Sequence, residues 1–222
     1  MKIIDVPQTG KLGLTVTYPS RNGLIRRSWV VPANPRSAEQ LVTRSRLSNA
    51  AQAYDTLTEA QQDAWIAAAA LEQSKPTLGQ SGPLTGLQLY TKLNAALAIV
   101  GEPSVSAPPA KPAFDPNVCQ SLELLNTAGV ITIKLVCAGS SDAFNLVRGC
   151  APQNSGTRRP GSIRYLGELP EVVAGKADIT ALYVAKFGTP AVGDRLFIQS
   201  NQLENGWQDL PIAFTGLVPA SS

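Results

Sequence analysis

The chain has no histidine and lacks most of the residue patterns on which active sites are built. The absence of histidine among its 222 residues excludes Ser-His-Asp and Cys-His catalytic arrangements and removes a common zinc ligand. Glycine motifs that bind phosphates or dinucleotides are also missing. Three cysteines are an odd number that does not suit a disulfide framework, and the spacing of Cys119, Cys137 and Cys150 matches no metal-site pattern. We therefore expect a protein without catalytic residues, metal ion or cofactor.

Charged residues and long apolar runs are scarce as well. Asp, Glu, Lys and Arg make up only 16% of the chain, so we expect much of the surface to be polar and neutral or covered by partner subunits. No apolar run approaches the roughly 18–20 residues that span a bilayer, and residues 1–18 lack the apolar core of a signal peptide. These features favour a protein made in the cytoplasm with reduced, buried thiols. The alternative, one disulfide involving Cys137 or Cys150, applies to an exported product.

Residues 1–33 predict an extended arm that contains a β-hairpin. Apolar residues alternate with small or polar ones from Leu12 to Tyr18, which is typical of a strand. The dipeptide Asn22-Gly23 is a strong hairpin-turn signal, and the return strand is predicted at residues 24–31. Because a two-stranded ribbon is only marginally stable in water, this arm should pack on the rest of the fold or on another subunit.

Residues 34–103 predict a helical domain. Two capping boxes, each a Ser or Thr followed three residues later by Gln, begin at Ser37 and Thr58 and predict an αα-hairpin whose first helix ends near Asp55. A third helix is expected to start near Pro83. The predicted apolar face of the first helix consists of Leu41, Leu47, Ala51 and Tyr54.

Beyond residue 103 the pattern changes from helical to extended. Residues 104–117 are rich in proline and predict a semi-rigid linker. Residues 118–222 contain about seven short strand-like stretches separated by turn signals, which is typical of a β-sandwich of the immunoglobulin or fibronectin type III kind. We therefore expect an α+β protein in which a β-ribbon and a helical domain precede an all-β sandwich. The strands are predicted at 121–126, 131–136, 144–149, 162–166, 179–185, 195–199 and 212–218.

Two motifs in the first hundred residues resemble those of a known family. The first motif follows a Gly-rich strand and runs Arg26-x(5)-Pro32-x-Asn34-Pro35-Arg36, then Gln40-x(3)-Arg44. It is similar to the start of a family of uncharacterised bacterial and phage-associated proteins. The second motif, Leu57-Thr58-x-x-Gln61-x-x-Ala64-Trp65, is similar to a segment of phage-type relatives. The resemblance implies helices followed by an immunoglobulin-like or fibronectin-like domain. Phage association would imply a virion component: a capsid decoration protein, a head–tail joining piece or a tail accessory.

Six arginines fall between residues 21 and 46, where Glu39 is the only acidic residue. Guanidinium groups suit the carboxylates of neighbouring proteins as well as phosphates. A net charge of only +3 and the scarcity of aromatic residues in this band argue against nucleic acid. We expect protein contacts, with a plain solvated surface as the alternative, and the same choice holds for a basic loop near residue 158. The candidate interface consists of Arg21, Arg26, Arg27, Trp29, Arg36, Arg44, Arg46, Arg158 and Arg159.

These features predict a non-enzymatic structural protein that assembles with itself or with other virion proteins, without nucleic acid or membrane. Two other classes stay open. A carbohydrate- or surface-binding module would need an exposed aromatic patch formed by Trp207, Tyr165 and Tyr183. An enzyme using paired carboxylates would need a cleft lined by at least two acidic residues, for which turn and cap roles are the alternative. The acids in question are Glu168, Glu171, Asp178, Asp194 and Asp209.

Overall fold

Three short strands, three helices and a β-rich region follow one another along the chain. The computed structural model describes residues 9–20, 23–31, 33–34, 36–74, 81–139 and 143–221. It divides into two compact units, one ending at Thr43 and the other beginning at Arg44. This element order confirms the prediction of a mixed α+β chain. The strands are β1 (Gly10–Leu12), β2 (Thr15–Ser20), β3 (Gly23–Ser28), β4 (Cys119–Thr127), β5 (Val130–Cys137), β6 (Phe144–Gly149), β7 (Arg164–Glu168), β8 (Lys176–Asp178), β9 (Arg195–Glu204), β10 (Trp207–Gln208) and β11 (Ile212–Leu217), and the helices are α1 (Ala38–Asp55), α2 (Glu59–Ala70), α3 (Gly86–Leu97) and α4 (Thr180–Phe187).

The N-terminal unit contains a three-stranded antiparallel sheet, where a single hairpin was expected. Its order is β1-β2-β3, and Leu12 pairs with Thr15 across the first turn. Gly13 lies in that turn with φ of 57°, a conformation that glycine adopts without steric cost. The turn interrupts the strand predicted from Leu12 to Tyr18, so that prediction is corrected to two shorter strands.

Local capping signals set the starts of the helices. Helix α1 begins directly after Ser37, whose hydroxyl accepts the Gln40 N–H at 3.4 Å. Helix α2 follows Thr58, which forms a complete capping box with Gln61. The predicted starts of α1 and α2 and the box at Thr58 are confirmed, whereas the box at Ser37 is only half formed, because the Gln40 Oε1 has no hydrogen-bond partner among the described residues. Helix α3 starts behind a third box at Thr85, slightly later than predicted.

An aromatic cluster holds the helices together. Trp65 of α2 has no exposed surface, and its ring meets the Tyr90 ring of α3 edge-on at 5.1 Å. Tyr54 of α1 meets the same Tyr90 ring at 5.3 Å. Such edge-to-face pairs contribute about 0.5–1.5 kcal/mol each beyond the apolar area that they bury. Leu89 and Leu93 of α3 complete this core.

Two antiparallel sheets enclose the main core of the β-rich region. The larger sheet has the order β10-β9-β6-β7, with β11 also paired to β9, and the smaller has the order β4-β5-β8. Strand β11 lies beside β4, so the sheets meet along one side. The side chains between them are apolar and include Ile133, Leu135, Val147, Leu196 and Ile198, all without exposed surface.

Helix α4 closes another side of this core, where a strand at 179–185 was predicted. Ile179 and Tyr183 are fully buried in the core, and α4 contacts both β5 and β7. Asp178 accepts the N–H of Thr180 at 2.9 Å, and the Thr180 hydroxyl accepts the N–H of Ile133 at 2.8 Å. The strand prediction is therefore wrong, and the region is not all-β, because these bonds start a helix whose apolar side faces the core.

Residues 104–117, predicted to be a linker, are held against both the helices and the β-rich region. The carbonyl oxygen of Ser106 accepts a hydrogen bond from the Trp65 indole at 2.8 Å. The carbonyl oxygen of Pro109 accepts one from the Trp207 indole at 3.2 Å. The segment therefore connects the two regions as a packed strap.

Candidate interaction surface

One face of the N-terminal sheet places cations beside aromatic rings. The Lys11 ammonium lies 3.4 Å from the centre of the Trp29 ring, and the Arg27 guanidinium lies 5.5 Å from the centre of the Tyr18 ring. At exposed positions such contacts contribute about 0.5–1 kcal/mol each. This face therefore presents aromatic and cationic groups together, which is a composition found at protein interfaces.

The arginine pair that the sequence placed together is divided between the two faces of this sheet. Arg26 and Arg27 are consecutive residues of β3 and therefore point to opposite sides. The Nε of Arg26 donates to the Thr17 hydroxyl at 3.4 Å. Only Arg27 belongs to the face that carries the aromatic rings, so the two residues do not form a single site.

The N-terminal unit also exposes large apolar side chains. None of its described residues contributes a buried apolar side chain, and Thr17 is the one buried residue among them. Four apolar side chains, at the β1–β2 turn and just after β3, are more than two-thirds exposed: Leu12, Leu14, Val30 and Val31.

Half of the predicted apolar face of α1 is uncovered. Of its predicted members Tyr54 is buried, whereas Leu41 and Leu47 are 50% and 56% exposed. Two of the four predicted members of this face therefore lie largely at the surface. Leu47 and Ala51 instead line an open apolar groove of about 460 Å³ between α1 and α3, opposite Leu87, Thr91, Lys92 and Ala95.

The remaining candidate arginines occupy separate positions. Of the candidate arginines that the structure describes, five are exposed and form no ion pair: Arg27, Arg36, Arg44, Arg158 and Arg159. Arg36 has a φ of 49°, which is uncommon for a residue with a side chain. Arg21 lies outside the described residues. Arg158 and Arg159 lie in the loop between β6 and β7, far in sequence from the N-terminal arginines.

Arg46 differs from these because it is half-buried beside the larger sheet. The positive charge of Arg46 acts to lower the pKa of the Tyr165 hydroxyl. The charge of Arg148, a residue of β6, acts in the same direction. Burial of Tyr165 raises the pKa of its hydroxyl, with Glu168 adding to the effect and the two arginines opposing it. Tyr165 also packs against the small core of Ala96, Leu146 and Leu203. Sequence reasoning placed Arg46 in the N-terminal band and missed this second basic position.

The aromatic patch needed for a carbohydrate-binding module does not form. Trp207 is only 6% exposed and joins the aromatic core of the helices. Tyr183 is fully buried, and its hydroxyl donates to the Cys150 carbonyl at 2.9 Å. Burial raises the pKa of the Tyr183 hydroxyl. These two rings contribute to packing and leave no shared surface with Tyr165.

Two of the acidic residues considered for catalysis share an open cleft. Glu168 and Glu171 line a space of about 320 Å³ together with Phe144 and Asn145. Asp194 instead has a turn role, because its carboxylate accepts the Ala191 N–H at 2.8 Å.

Asp178 is likewise committed to local structure. Burial acts to raise its pKa, but hydrogen bonds from the Thr180 hydroxyl and N–H, with the nearby charge of Lys134, outweigh burial and lower it. The turn and cap roles are therefore confirmed for Asp178 and Asp194.

The described ranges lack a cluster of metal ligands and a membrane-spanning helix. They contain no group of three metal-ligating side chains, and no helix among them is long and apolar enough to cross a bilayer. Comparison with known proteins adds no identification, since no family model matches the chain and neither a curated protein nor a solved structure is significantly similar to it.

Proposed function

We propose that this protein is a non-enzymatic structural component of a larger assembly and that its N-terminal unit binds other copies of the same chain. One observation carries the proposal: the described residues up to Thr43 form three strands but contain no buried apolar side chain. A small sheet needs an apolar face packed on another element to be stable in water. A neighbouring copy would supply that cover.

The apolar surface of α1 supports the same function. Leu41 and Val42 are about half exposed in its first turns, and Leu47 borders the groove between α1 and α3. In proteins, most of the stability of a helix comes from packing of its apolar face rather than from the helical propensity of its residues. The first turns of α1 are therefore a second apolar contact region for a neighbouring copy.

The unpaired arginines would lie at the rim of such an interface. Arg27 is next to the apolar ends of the strands, and Arg36 and Arg44 flank the start of α1. Charged groups at the rim of an interface mainly set orientation and association rate, while the apolar centre supplies affinity. Carboxylates of the neighbouring copy are the groups that these guanidiniums suit.

The assembly that we propose is a phage virion, in which the chain would be a capsid decoration protein, a head–tail joining piece or a tail accessory. The support for this choice is the resemblance of the two N-terminal motifs to a phage-associated family. Under the same proposal the C-terminal region is an immunoglobulin-like or fibronectin-like sandwich in which α4 replaces one strand. Two facing antiparallel sheets around one core support this assignment.

Substitution of the exposed apolar side chains tests the proposal. A variant with Leu12, Leu14, Val30 and Val31 all changed to serine should keep its circular dichroism spectrum, because these side chains contribute nothing to the buried cores. Its mass by gel filtration with light scattering should fall below that of the unmodified protein.

The matched control is a variant with Leu71→Ser and Leu210→Ser. These leucines are 84% and 81% exposed but lie outside the N-terminal unit. The control should retain the mass of the unmodified protein. Equal masses for the unmodified protein and for the variant with four serine substitutions in the N-terminal unit would overturn the proposal that this unit mediates assembly.

A further inference from the structure

Two of the three cysteines face each other across neighbouring strands. Cys119 is the first residue of β4, Cys137 is the last residue of β5, and the two are direct partners in the register of this strand pair. Their sulfur atoms are 3.8 Å apart, and both residues are buried, with 2% and 6% exposure. The thiols are free.

The backbone hydrogen bonds define which kind of cross-strand position this pair occupies. The neighbouring Ala138 N–H donates to the Val118 carbonyl at 2.8 Å, so that adjacent pair is hydrogen-bonded. The Cys137 N–H donates away from β4, to the Gly175 carbonyl at 2.8 Å. The Cys119 N–H donates to the Asn117 side chain at 2.9 Å. Cys119 and Cys137 therefore form a non-hydrogen-bonded pair.

This position suits a disulfide. In a non-hydrogen-bonded antiparallel pair the Cα atoms are about 4.5 Å apart and the side chains approach each other closely. Disulfides span Cα separations of about 4.4–6.8 Å. Rotation of the two side chains, with little movement of the strands, would bring the sulfur atoms to bonding distance.

We propose that Cys119 and Cys137 form a disulfide across β4 and β5 when the protein meets a small-molecule disulfide oxidant. The thiolate of one cysteine attacks the oxidant and releases one small thiol, and the second thiolate then displaces the other small thiol from the mixed disulfide. The two protein sulfurs lose two protons and two electrons in total, and the small disulfide is reduced to two thiols. This inference is independent of the proposed assembly.

The location of the pair determines when the reaction occurs. Both cysteines lie at one end of the β4–β5 ribbon, next to a register shift between Cys119 and Ser121. Opening of this strand end would expose the sulfurs without disturbing the centre of the sheet. In the reducing cytoplasm the pair would remain as thiols, whereas an oxidising environment outside the cell would retain the bond. The third thiol, Cys150, directly follows β6 of the other sheet and provides an internal control.

Oxidation of the full-length protein tests the proposal. The protein is incubated with oxidised glutathione, denatured, alkylated with iodoacetamide and weighed by mass spectrometry. One alkyl group per chain is expected, at Cys150, with the peptides of Cys119 and Cys137 linked. The midpoint of thermal unfolding should rise by roughly 5–10 °C after oxidation and return on reduction.

Three serine variants assign the bond. Cys119→Ser and Cys137→Ser should each abolish the link and the thermal shift, and Cys150→Ser should preserve both. Three alkyl groups after prolonged oxidation, glutathione retained on a single cysteine, or a link to Cys150 would each overturn the proposal. Intact mass and peptide mapping of the protein without substitutions distinguish these outcomes, so the test does not depend on the folding of any variant.

Discussion

The backbone of Leu93 in α3 leaves no space for a side chain at Gly206. A Cβ atom on residue 206 would lie 2.7 Å from the Leu93 carbonyl oxygen and 2.9 Å from the Leu93 Cβ, and Gly206 also has a φ of 82°. Gly206 forms the turn between β9 and β10, which leads into the buried Trp207. This close approach is one of the points at which α3 and the larger sheet meet.

Gly206→Ala should consequently destabilise the protein by more than the backbone strain of a side chain at positive φ would alone. A side chain at positive φ costs about 1–2 kcal/mol, and forcing atoms into a filled space typically adds about 1–3 kcal/mol. Gly129→Ala is the matched control, because Gly129 also follows a residue of positive φ in a two-residue turn between strands and has a φ of 85°, but has nothing within 4 Å of the added atom. Urea unfolding should show a larger loss in the free energy of unfolding for the substitution at residue 206 than for the control. Equal losses would contradict the close contact with Leu93.

The Asn94 side chain should be essential for fixing the strap, residues 104–117, against helix α3. Asn94 is 4% exposed, its amide oxygen accepts the Val105 N–H at 2.7 Å, and its amide nitrogen donates to the Val105 carbonyl at 3.3 Å. Asn94→Leu would leave both Val105 groups without these partners, so we expect a loss of about 2 kcal/mol or more in the free energy of unfolding. The control is Asn49→Leu, at an exposed position of α1. It should change the free energy of unfolding by less than about 0.5 kcal/mol.

The buried thiol pair should make stability sensitive to alkaline pH. Burial, reinforced by the adjacent Cys119, raises the pKa of the Cys137 thiol from 9.0 to about 12. Burial also raises the pKa of the Cys119 thiol. Below pH 9 both states of the protein are protonated at Cys137. As pH rises from 9 towards 12, only the unfolded state loses this proton, so stability falls.

Urea unfolding between pH 8 and 10.5, under reducing conditions, measures this loss. Cys137→Ser should reduce the slope of stability against pH above 9, whatever its effect on stability at pH 8. Cys150→Ser, which retains the thiol pair, controls for the loss of a cysteine elsewhere in the chain. A slope unaffected by Cys137→Ser would contradict the raised pKa.

Positive charge on β3 and just before α1 should influence self-association of the protein. A double variant, Arg27→Glu and Arg36→Glu, should weaken self-association by about tenfold or more, because acidic groups would face the carboxylates that the arginines suit. Association of the unmodified protein should also weaken with added salt. Arg164→Glu, at an exposed position of β7, is the control for loss of positive charge elsewhere, although it changes the net charge by two units where the double variant changes it by four. Sedimentation equilibrium provides the association constants, and equal weakening by all the substitutions would indicate a general charge effect.

Helix starts and several strands could be predicted because their signals are local. Thr58 and Gln61 satisfy each other within one turn, so their pattern is sufficient to place α2. Strand β6 coincides with its predicted range, and β9 and β11 begin at their predicted residues. Apolar alternation and flanking turns specify such strands without knowledge of the rest of the chain.

Helix α4 could not be predicted by the same means. Its β-branched and aromatic residues favour a strand locally, whereas Ile179, Leu182, Tyr183 and Phe187 repeat at helical spacing over too few residues to decide. The Asp178–Thr180 and Thr180–Ile133 hydrogen bonds favour the helix, and the second of these depends on tertiary structure. The packed strap was missed for a similar reason, since its partners Trp65 and Trp207 are distant in sequence.

The candidate surface could be predicted only in part. Composition located an arginine-rich N-terminal region, but alternation in β3 divides Arg26 from Arg27, and Arg46 lies beside Tyr165. The exposure of Leu41 and Leu47 was not predictable, because an apolar helix face looks the same in sequence whether its own chain or a partner covers it.

The mass of the unmodified protein in solution tests the central claim most directly. Light scattering during gel filtration, over a hundredfold range of loading concentration, compares the measured mass with 23.4 kDa for a single chain. The proposed assembly through the N-terminal unit predicts a mass of at least two chains that rises with concentration. A constant mass of one chain across the whole range would contradict it.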